Sequence, residues 1–385
     1  MRSEWQSVRA ADVIDFNPTL RLPKGSCAPK VAMEKLLPFT KRIEGFTMES
    51  YSGGAKFCNG DTIMARITPC LENGKTAFVD ILQDDEIGYG STEYIVLRAK
   101  AGITDPQFVY YLATSPDFRR VAIKSMVGSS GRQRVQQSVL DEMTVLLPPL
   151  PEQVEIGRYL SMLDDQIALN NRINDNLLQQ LQAIYQHMFS QSSQGDMLEG
   201  RLSDICAYSQ RRVSVASLSP ESYYSTENML PGKAGAVAAS SLPTIAQTTG
   251  CMPGDILISN IRPYFKKIVY CQSECGCSTD VLCFVPQTHD LSLYLFSTLY
   301  DDHFFDFMVA GSKGTKMPRG DKQQIMAYPI VLPSTTKLVE FNAIARPLLS
   351  QIENGTQENK RLASLRDTLL PRLMSGEIDV SSVTI

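Results

Sequence analysis

GDTIMARITPCL at Gly60–Leu71 is answered by GDILISNIRPYF at Gly254–Phe265, and the organisation of the chain follows from that echo. Three more landmarks return in the same order. STEYIVLR (Ser91–Arg98) returns as STDVLCFV (Ser278–Val285), GSSGRQRV (Gly128–Val135) as GSKGTKMP (Gly311–Pro318), and VLLPPLPEQ (Val145–Gln153) as IVLPSTTKL (Ile330–Leu338). The offset falls from 194 (254 − 60) to 183 (311 − 128) and returns to 185 (330 − 145). Such drift fits two diverged copies with loop insertions, and the period is far longer than that of a solenoid. With 385 residues the chain has room for two or three domains, each with its own core.

A long helix closes each copy. Pro148, Pro149 and Pro151 stop a strand, and Pro151 and Glu152 suit the first helical turn. Seam positions follow at Ile156, Leu160, Leu163, Ile167, Asn170, Asn174, Leu177, Leu181, Ile184 and Met188, in steps of four and three. Adding 185 gives Phe341, Ala345, Leu348, Ile352, Gly355, Asn359, Leu362, Arg366, Leu369 and Leu373. A heptad seam over 33 residues (156–188), roughly 50 Å of helix, is too long for a core helix and predicts a coiled coil. The two helices are expected to pair within the chain, antiparallel if the copies face each other about a pseudo-two-fold axis. Asn174 and Asn359 read as register pins, Pro347 predicts a kink or restart near the beginning of the second helix, and Arg366 interrupts its seam. The expected layout is a globular part over 1–148, a helix over 149–192, a second globular part over 193–333, and a helix with its tail over 334–385.

Before each helix, runs such as DTIMARI, TAFVDIL, EYIVLR and TVLLP in the first copy, and DILISNI, KIVYC and VLCFV in the second, read as strands. FVYYLATSPDFRRVAIKSM and LSLYLFSTLYDDHFFDFMV read as one or two helices each, leading into the Gly-rich loops. The fold class expected is α+β, each head being one mostly antiparallel twisted sheet with a few helices.

Composition is that of an ordinary globular protein, 43% apolar and 20% charged, with a net charge of −4. No apolar run is long enough to span a bilayer and MRSEWQSVRA has no signal-peptide core, so the chain reads as cytosolic. Its nine cysteines read as reduced thiols. The gaps between Cys271, Cys275, Cys277 and Cys283 do not form the paired units of a zinc site, and VLCFV reads as a strand. Charge is unevenly placed. Arg119, Arg120, Lys124, Arg132 and Arg134 run without an acid. Lys313, Lys316, Arg319 and Lys322 face only Asp321, and Arg262, Lys266 and Lys267 form a third group. The stretch 151–200 is acidic instead, with Glu152, Glu155, Asp164, Asp165, Asp175, Asp196 and Glu199 against Arg158 and Arg172.

Catalytic motifs do not assemble. NIRPY (Asn260–Tyr264) is similar to the NPPY loop of amino-methyltransferases, but Ile-Arg replaces the first proline and no glycine motif for S-adenosylmethionine is present. Asp61, Glu72 and Lys75 have a Glu–Lys gap one residue too long for a nuclease. GSSGRQ and GSKGTK lack the GK[ST] ending of a phosphate loop. The three histidines, His187, His289 and His303, do not have the spacing of a paired-histidine metal site.

Two variable heads, each followed by a long helix, with LPPLPEQ (Leu147–Gln153) before the first and LRDTLLPRLMSGEI (Leu365–Ile378) ending the second, resemble the specificity subunit of Type I restriction-modification enzymes. STTKL replaces PLPEQ in the second half, which blurs the start of its helix. The resemblance implies a non-catalytic chain whose heads are target recognition domains, each reading one half of a split, asymmetric site on double-stranded DNA. It implies a helical spine that sets the spacer and docks two methylation subunits, with restriction subunits completing the nuclease. S-adenosylmethionine, ATP and magnesium would belong to those partners, none to this chain, and no membrane is involved. The side chains agree. Arg132, Gln133 and Arg134 can reach base edges, while Lys124, Ser129 and Ser130 suit phosphates. The second loop offers Lys313, Thr315, Lys316 and Arg319, with Arg262, Tyr264 and Lys266 on the repeated strand. The spine residues expected are Leu163, Ile167, Asn174, Leu177, Leu181, Leu348, Ile352, Asn359, Leu362 and Leu369. The competing reading is a coiled-coil scaffold that bridges proteins.

Overall fold

A computed structural model describes residues 5–189 and 198–380; Asp196 and the expected boundary at 192/193 lie outside them. The chain divides into two units, 1–172 with 355–385, and 173–354.

The first unit runs β1 (Gln6–Arg9), α1 (Ala10–Val13), β2 (Ile14–Phe16), β3 (Cys27–Val31), β4 (Thr47–Ser50), β5 (Lys56–Phe57), β6 (Thr62–Ala65), β7 (Thr76–Phe78), β8 (Gly88–Gly90) and β9 (Tyr94–Ala99). Helices α2 (Pro106–Thr114), α3 (Pro116–Lys124) and α4 (Gln137–Asp141) lead to β10 (Thr144–Leu147) and the long helix α5 (Leu150–Phe189). One sheet is antiparallel, in the order β2-β9-β6-β7. A second has the order β4-β3-β8-β5 with β3 and β8 parallel, and β1 pairs with β10 as a ribbon.

The second unit carries β11 (Leu198–Arg201), β12 (Cys206–Tyr208), β13 (Arg212–Ser214), β14 (Tyr223–Tyr224), β15 (Gln247–Cys251), β16 (Ile256–Ser259), β17 (Ile268–Tyr270), β18 (Cys275–Cys277) and β19 (Val281–Pro286). Then come α6 (Ser292–Tyr300), α7 (Asp302–Ala310), α8 (Lys322–Met326), β20 (Pro329–Leu332) and the long helix α9 (Thr335–Met374). Its antiparallel sheet, β12-β19-β16-β17, repeats the order of the first unit's. In its second sheet, β13-β15-β18-β14, the parallel pair has moved from the centre to the edge. Each head therefore holds two four-stranded sheets where the sequence suggested one.

The repeat is clearest at β6 and β16 because both strands are buried on both faces. Met64 packs with the helices and Ile63 with the opposite cluster; Ile256 and Ile258 divide from Leu257 in the same way. A strand covered on both sides carries apolar side chains on both faces. The Gly-Asp pair before each has a matching cause. Asp61 accepts the Cys58 N–H and both guanidinium contacts of Arg98 at 2.7 Å, while Asp255 accepts the Met252 N–H and pairs with Arg211. A buried carboxylate needs such a cation.

Capping explains the helix breaks. Asp105 and Ser115 accept N–H groups at the starts of α2 and α3, each followed by proline, and Asp301 does the same for α7. Gln153 is fully buried at the start of α5. It accepts the Asp105 N–H and donates to the carbonyls of Ile103 and Pro148, fastening the helix to its head. Gly157 permits the close approach, since a Cβ there would lie 2.8 Å from that of Gln107.

Helices α5 and α9 run antiparallel in each unit. In the first, Arg366 meets Asp164 at 2.6 Å, and Asn359 accepts from Asn170 and donates to Asn171. In the second, Lys337 donates to the Met188 carbonyl and Phe341 packs on Tyr185 and Phe189. Leu163, Leu181 and Leu369 are buried; Ile167, Asn174, Leu177, Leu348, Ile352, Asn359 and Leu362 are half-buried. The expected restart at Pro347 is absent: α9 is continuous from Thr335 to Met374. Pro347 and Ala343 are exposed, so water can satisfy the carbonyl that the proline deprives of its partner. Ser334, accepting the Lys337 N–H, starts the helix without the PLPEQ prolines. No helix among the described residues is long and apolar enough to cross a membrane.

Candidate nucleic-acid interface

Each Gly-rich loop is closed by a pair of backbone hydrogen bonds. Val127 and Arg134 exchange N–H and carbonyl contacts at 3.0 and 2.8 Å, and Lys313 and Arg319 do so at 2.9 and 3.0 Å. The closing arginine also bridges to the repeated strand's end, Arg134 opposite Ile67 and Arg319 opposite Ile261. Between these closures lie tips at 128–133 and 314–318. Gly128 (φ 135°) and Gly314 (φ 102°) take backbone conformations that side chains disfavour.

The closing arginines are held by acids at matching places. Arg134 binds both carboxylate oxygens of Glu93 at 2.6–3.0 Å, and the hydrogen bonds keep that carboxyl below its usual range. Arg319 meets Asp280 at 3.2 Å. Glu93 and Asp280 are the third residues of STEYIVLR and STDVLCFV. The structural counterpart of Arg134 is thus Arg319, at an offset of 185, where aligning the glycines gave Met317. Two equivalent arginines thus pair with equivalent acids and fasten equivalent loops, with nearly half of each side chain still exposed.

Other expected contacts separate in the same way. Arg119 lies half-buried over the Phe39 ring, and Arg120 pairs with Asp117. Lys313 pairs with Asp321 and holds its carboxyl below the usual range. Lys266 shares Asp302 with Lys233. Gln133 is half-buried, its carbonyl accepting from Thr68. Lys124, Arg132 and Lys316 are exposed and have no ion pair among the described residues, and Ser129, Ser130 and Thr315 stand exposed on the tips. Arg262 also has no ion pair among the described residues, and its Nε is buried without a hydrogen-bond partner. Each unit therefore presents a braced loop with free cations and hydroxyls at its tip. Three residues escaped the sequence reading: the acids Glu93 and Asp280, whose basic partners lie about 40 positions along the chain, 134 − 93 and 319 − 280, and Phe265, which stands exposed beside Tyr264.

Among the described residues no group of three or more His, Cys, Asp or Glu side chains is placed to hold a metal ion. All nine cysteines are free thiols.

Residues 2–179 match the Type I restriction modification DNA specificity domain. That match takes in 178 (179 − 2 + 1) of the 385 residues, the first head and most of α5. The chain is 36% identical over 132 residues to the Type I restriction enzyme EcoAI specificity subunit of Escherichia coli, covering 34% of this chain and 22% of that one. It is 29% identical over 187 residues to the EcoEI specificity subunit of the same organism, covering 46% and 31%. The matches thus span less than a third of those relatives. The crystal structure of the Type-I restriction-modification S subunit from M. genitalium covers 97% of both chains with a TM-score of 0.53 and 16% identity. It shows that both halves share the specificity-subunit fold of two mixed α/β parts with long helices.

Proposed function

We propose that this chain is the DNA-reading subunit of a Type I restriction-modification assembly in the cytosol, and that it carries out no chemistry itself. Heads 1–148 and 193–333 are target recognition domains, each reading one half of a split, asymmetric duplex site. Helices 149–192 and 334–385 set the spacing between half-sites and dock two methylation subunits, to which restriction subunits attach. S-adenosylmethionine, ATP and magnesium act in those partners.

The observation that carries this reading is the pair of equivalent loops on one framework with unlike tips. The fastening is the same, Arg134–Glu93 and Arg319–Asp280, while the tips differ: GSSGRQ against GTKMP. A common frame with dissimilar contact surfaces suits two different half-sites. In this reading Arg132 donates to a guanine edge, with Ser129, Ser130 and Lys124 on phosphates; Thr315, Lys316 and Arg262 serve the other half.

The test is Arg132→Ala, read by mapping modified bases in a host that carries the full system. It should cost about 1–3 kcal/mol of binding and relax one base of one half-site, leaving the other half unchanged. An unaltered methylation pattern contradicts the assignment of that loop. A change in both half-sites contradicts the division of labour between heads.

A further inference from the structure

The turn joining β16 to β17 is built in a way that the sheet does not require. Pro263–Phe265 form one 3-10 turn, and the residues on either side, Arg262 (φ 51°) and Lys266 (φ 50°), both lie in the left-handed region. Non-glycine residues hold that conformation only where their surroundings enforce it. Here the enforcement is dense. The Arg262 N–H donates to the Pro318 carbonyl of the Gly-rich loop, the Gly232 N–H to Phe265, and the Lys233 N–H to Lys266. Lys233 and Lys266 both hold Asp302, at 2.7 and 2.9 Å, and Lys267 donates to the Thr226 carbonyl.

The product of this bracing is a pair of rings standing clear of the fold. Tyr264 and Phe265 are 50% and 39% exposed, with centroids 4.8 Å apart. Cations flank them: Arg262 without an ion pair among the described residues, Lys267 5.8 Å from the Phe265 ring, and exposed Lys316 on the adjoining loop. Flat π faces set among unpaired cations complement a nucleobase between its phosphates. The aligned positions of the first unit carry no ring. Counting from the paired glycines, Tyr264 and Phe265 correspond to Cys70, half-buried, and Leu71, fully buried in the core.

We propose that Tyr264 and Phe265 form a stacking tip, specific to the second head, that packs on base faces of its half-site while Arg262 and Lys316 hold the neighbouring phosphates. This rests on the reading of the heads as DNA readers. A ring pressed against a base step opens it, so the second half-site would be selected partly for steps that unstack at low cost, pyrimidine–purine steps first.

The test uses the full chain with its methylation partner in the native host, mapping modified bases genome-wide. Tyr264→Ala/Phe265→Ala should lower methylation of the split motif by about tenfold or more, with the thermal midpoint of the purified chain unchanged because both rings face water. Tyr264→Phe/Phe265→Tyr puts two rings back and should rescue it. If the double alanine variant melts early, Tyr264→Ser on the more exposed ring carries the same expectation. Full methylation in a folded ring-less variant overturns the stacking tip and leaves the reading of the heads intact. A wild-type chain that directs no split motif overturns that underlying reading instead. Loss of methylation together with loss of the co-purifying methylation subunit assigns the rings to a protein interface, which also overturns the proposal.

Discussion

In the first unit, the seam between the long helices is closed by charge; at the corresponding positions of the second, it is closed by hydrocarbon. Arg366 and Asp164 meet at 2.6 Å with the Tyr111 hydroxyl donating to the other carboxylate oxygen, also at 2.6 Å. Burial opposes the guanidinium charge, but Asp164 and Asp367 outweigh it and the Arg366 pKa is raised. The offset of 185 places Leu181 and Leu349 at these positions in the second unit, where Leu181 is fully buried in a cluster with Tyr185, Phe189, Phe341 and Leu349. Both solutions hold an antiparallel helix pair. Replacing a buried ion pair by well-packed hydrocarbon is often neutral or stabilising, so the first unit's polar version is not required for strength. Its directional contacts, continued by Asn359 with Asn170 and Asn171, fix which turn of α9 faces which turn of α5.

The comparison breaks most decisively at Asp164. Asp164→Ala leaves the buried guanidinium only the exposed Asp367 and leaves the Tyr111 hydroxyl without its acceptor, and should lower stability by up to about 3–5 kcal/mol in urea denaturation. Asp164→Leu/Arg366→Leu with Tyr111→Phe copies the second unit's chemistry and should recover most of that loss. A triple variant as unstable as the single one would show that the two seams are not interchangeable.

A smaller effect sharpens the contrast between free and fastened cations. Lys124→Ala should weaken DNA binding evenly across sequences and reduce the salt slope by about one. Arg120→Ala, four residues away but paired with Asp117, should leave the slope nearer its original value. Equal changes would mean that ion pairing does not sort these side chains. The smallest effect concerns Asp302, which Lys233 and Lys266 hold at a pKa of about 2, below its ordinary 3.8. A depressed carboxyl contributes stability above its ordinary pKa and loses it as pH falls through the folded value. The thermal midpoint difference between wild type and Asp302→Asn should therefore be present at pH 7 and shrink between pH 4 and pH 2. A constant difference would detach Asp302 from the bracing of the Tyr264 turn.

What was legible in the sequence follows from periodicity and burial. The seam residues from Ile156 to Met188 repeat too regularly to miss, and β6 and β16 stand out because both faces are covered. The second sheet of the first head was not legible. Lys56–Phe57 is only two residues long and Thr47–Ser50 is exposed throughout, so neither alternates. Arg366 looked like a fault in the seam because its acid lies 202 positions earlier in the chain. Arg134 and Arg132 are indistinguishable as letters; only the Glu93 carboxylate tells them apart. The continuity of α9 through Pro347 depends on which side of the helix faces water, a tertiary fact.

Mapping modified bases across the native host's genome, with this chain present and then deleted, tests the central claim most directly. The account predicts that one split motif, two unlike half-sites with a fixed gap, loses its methylation when the chain is removed. Methylation that is the same in both strains would contradict it, and would favour two heads on a helical scaffold that bind something other than DNA.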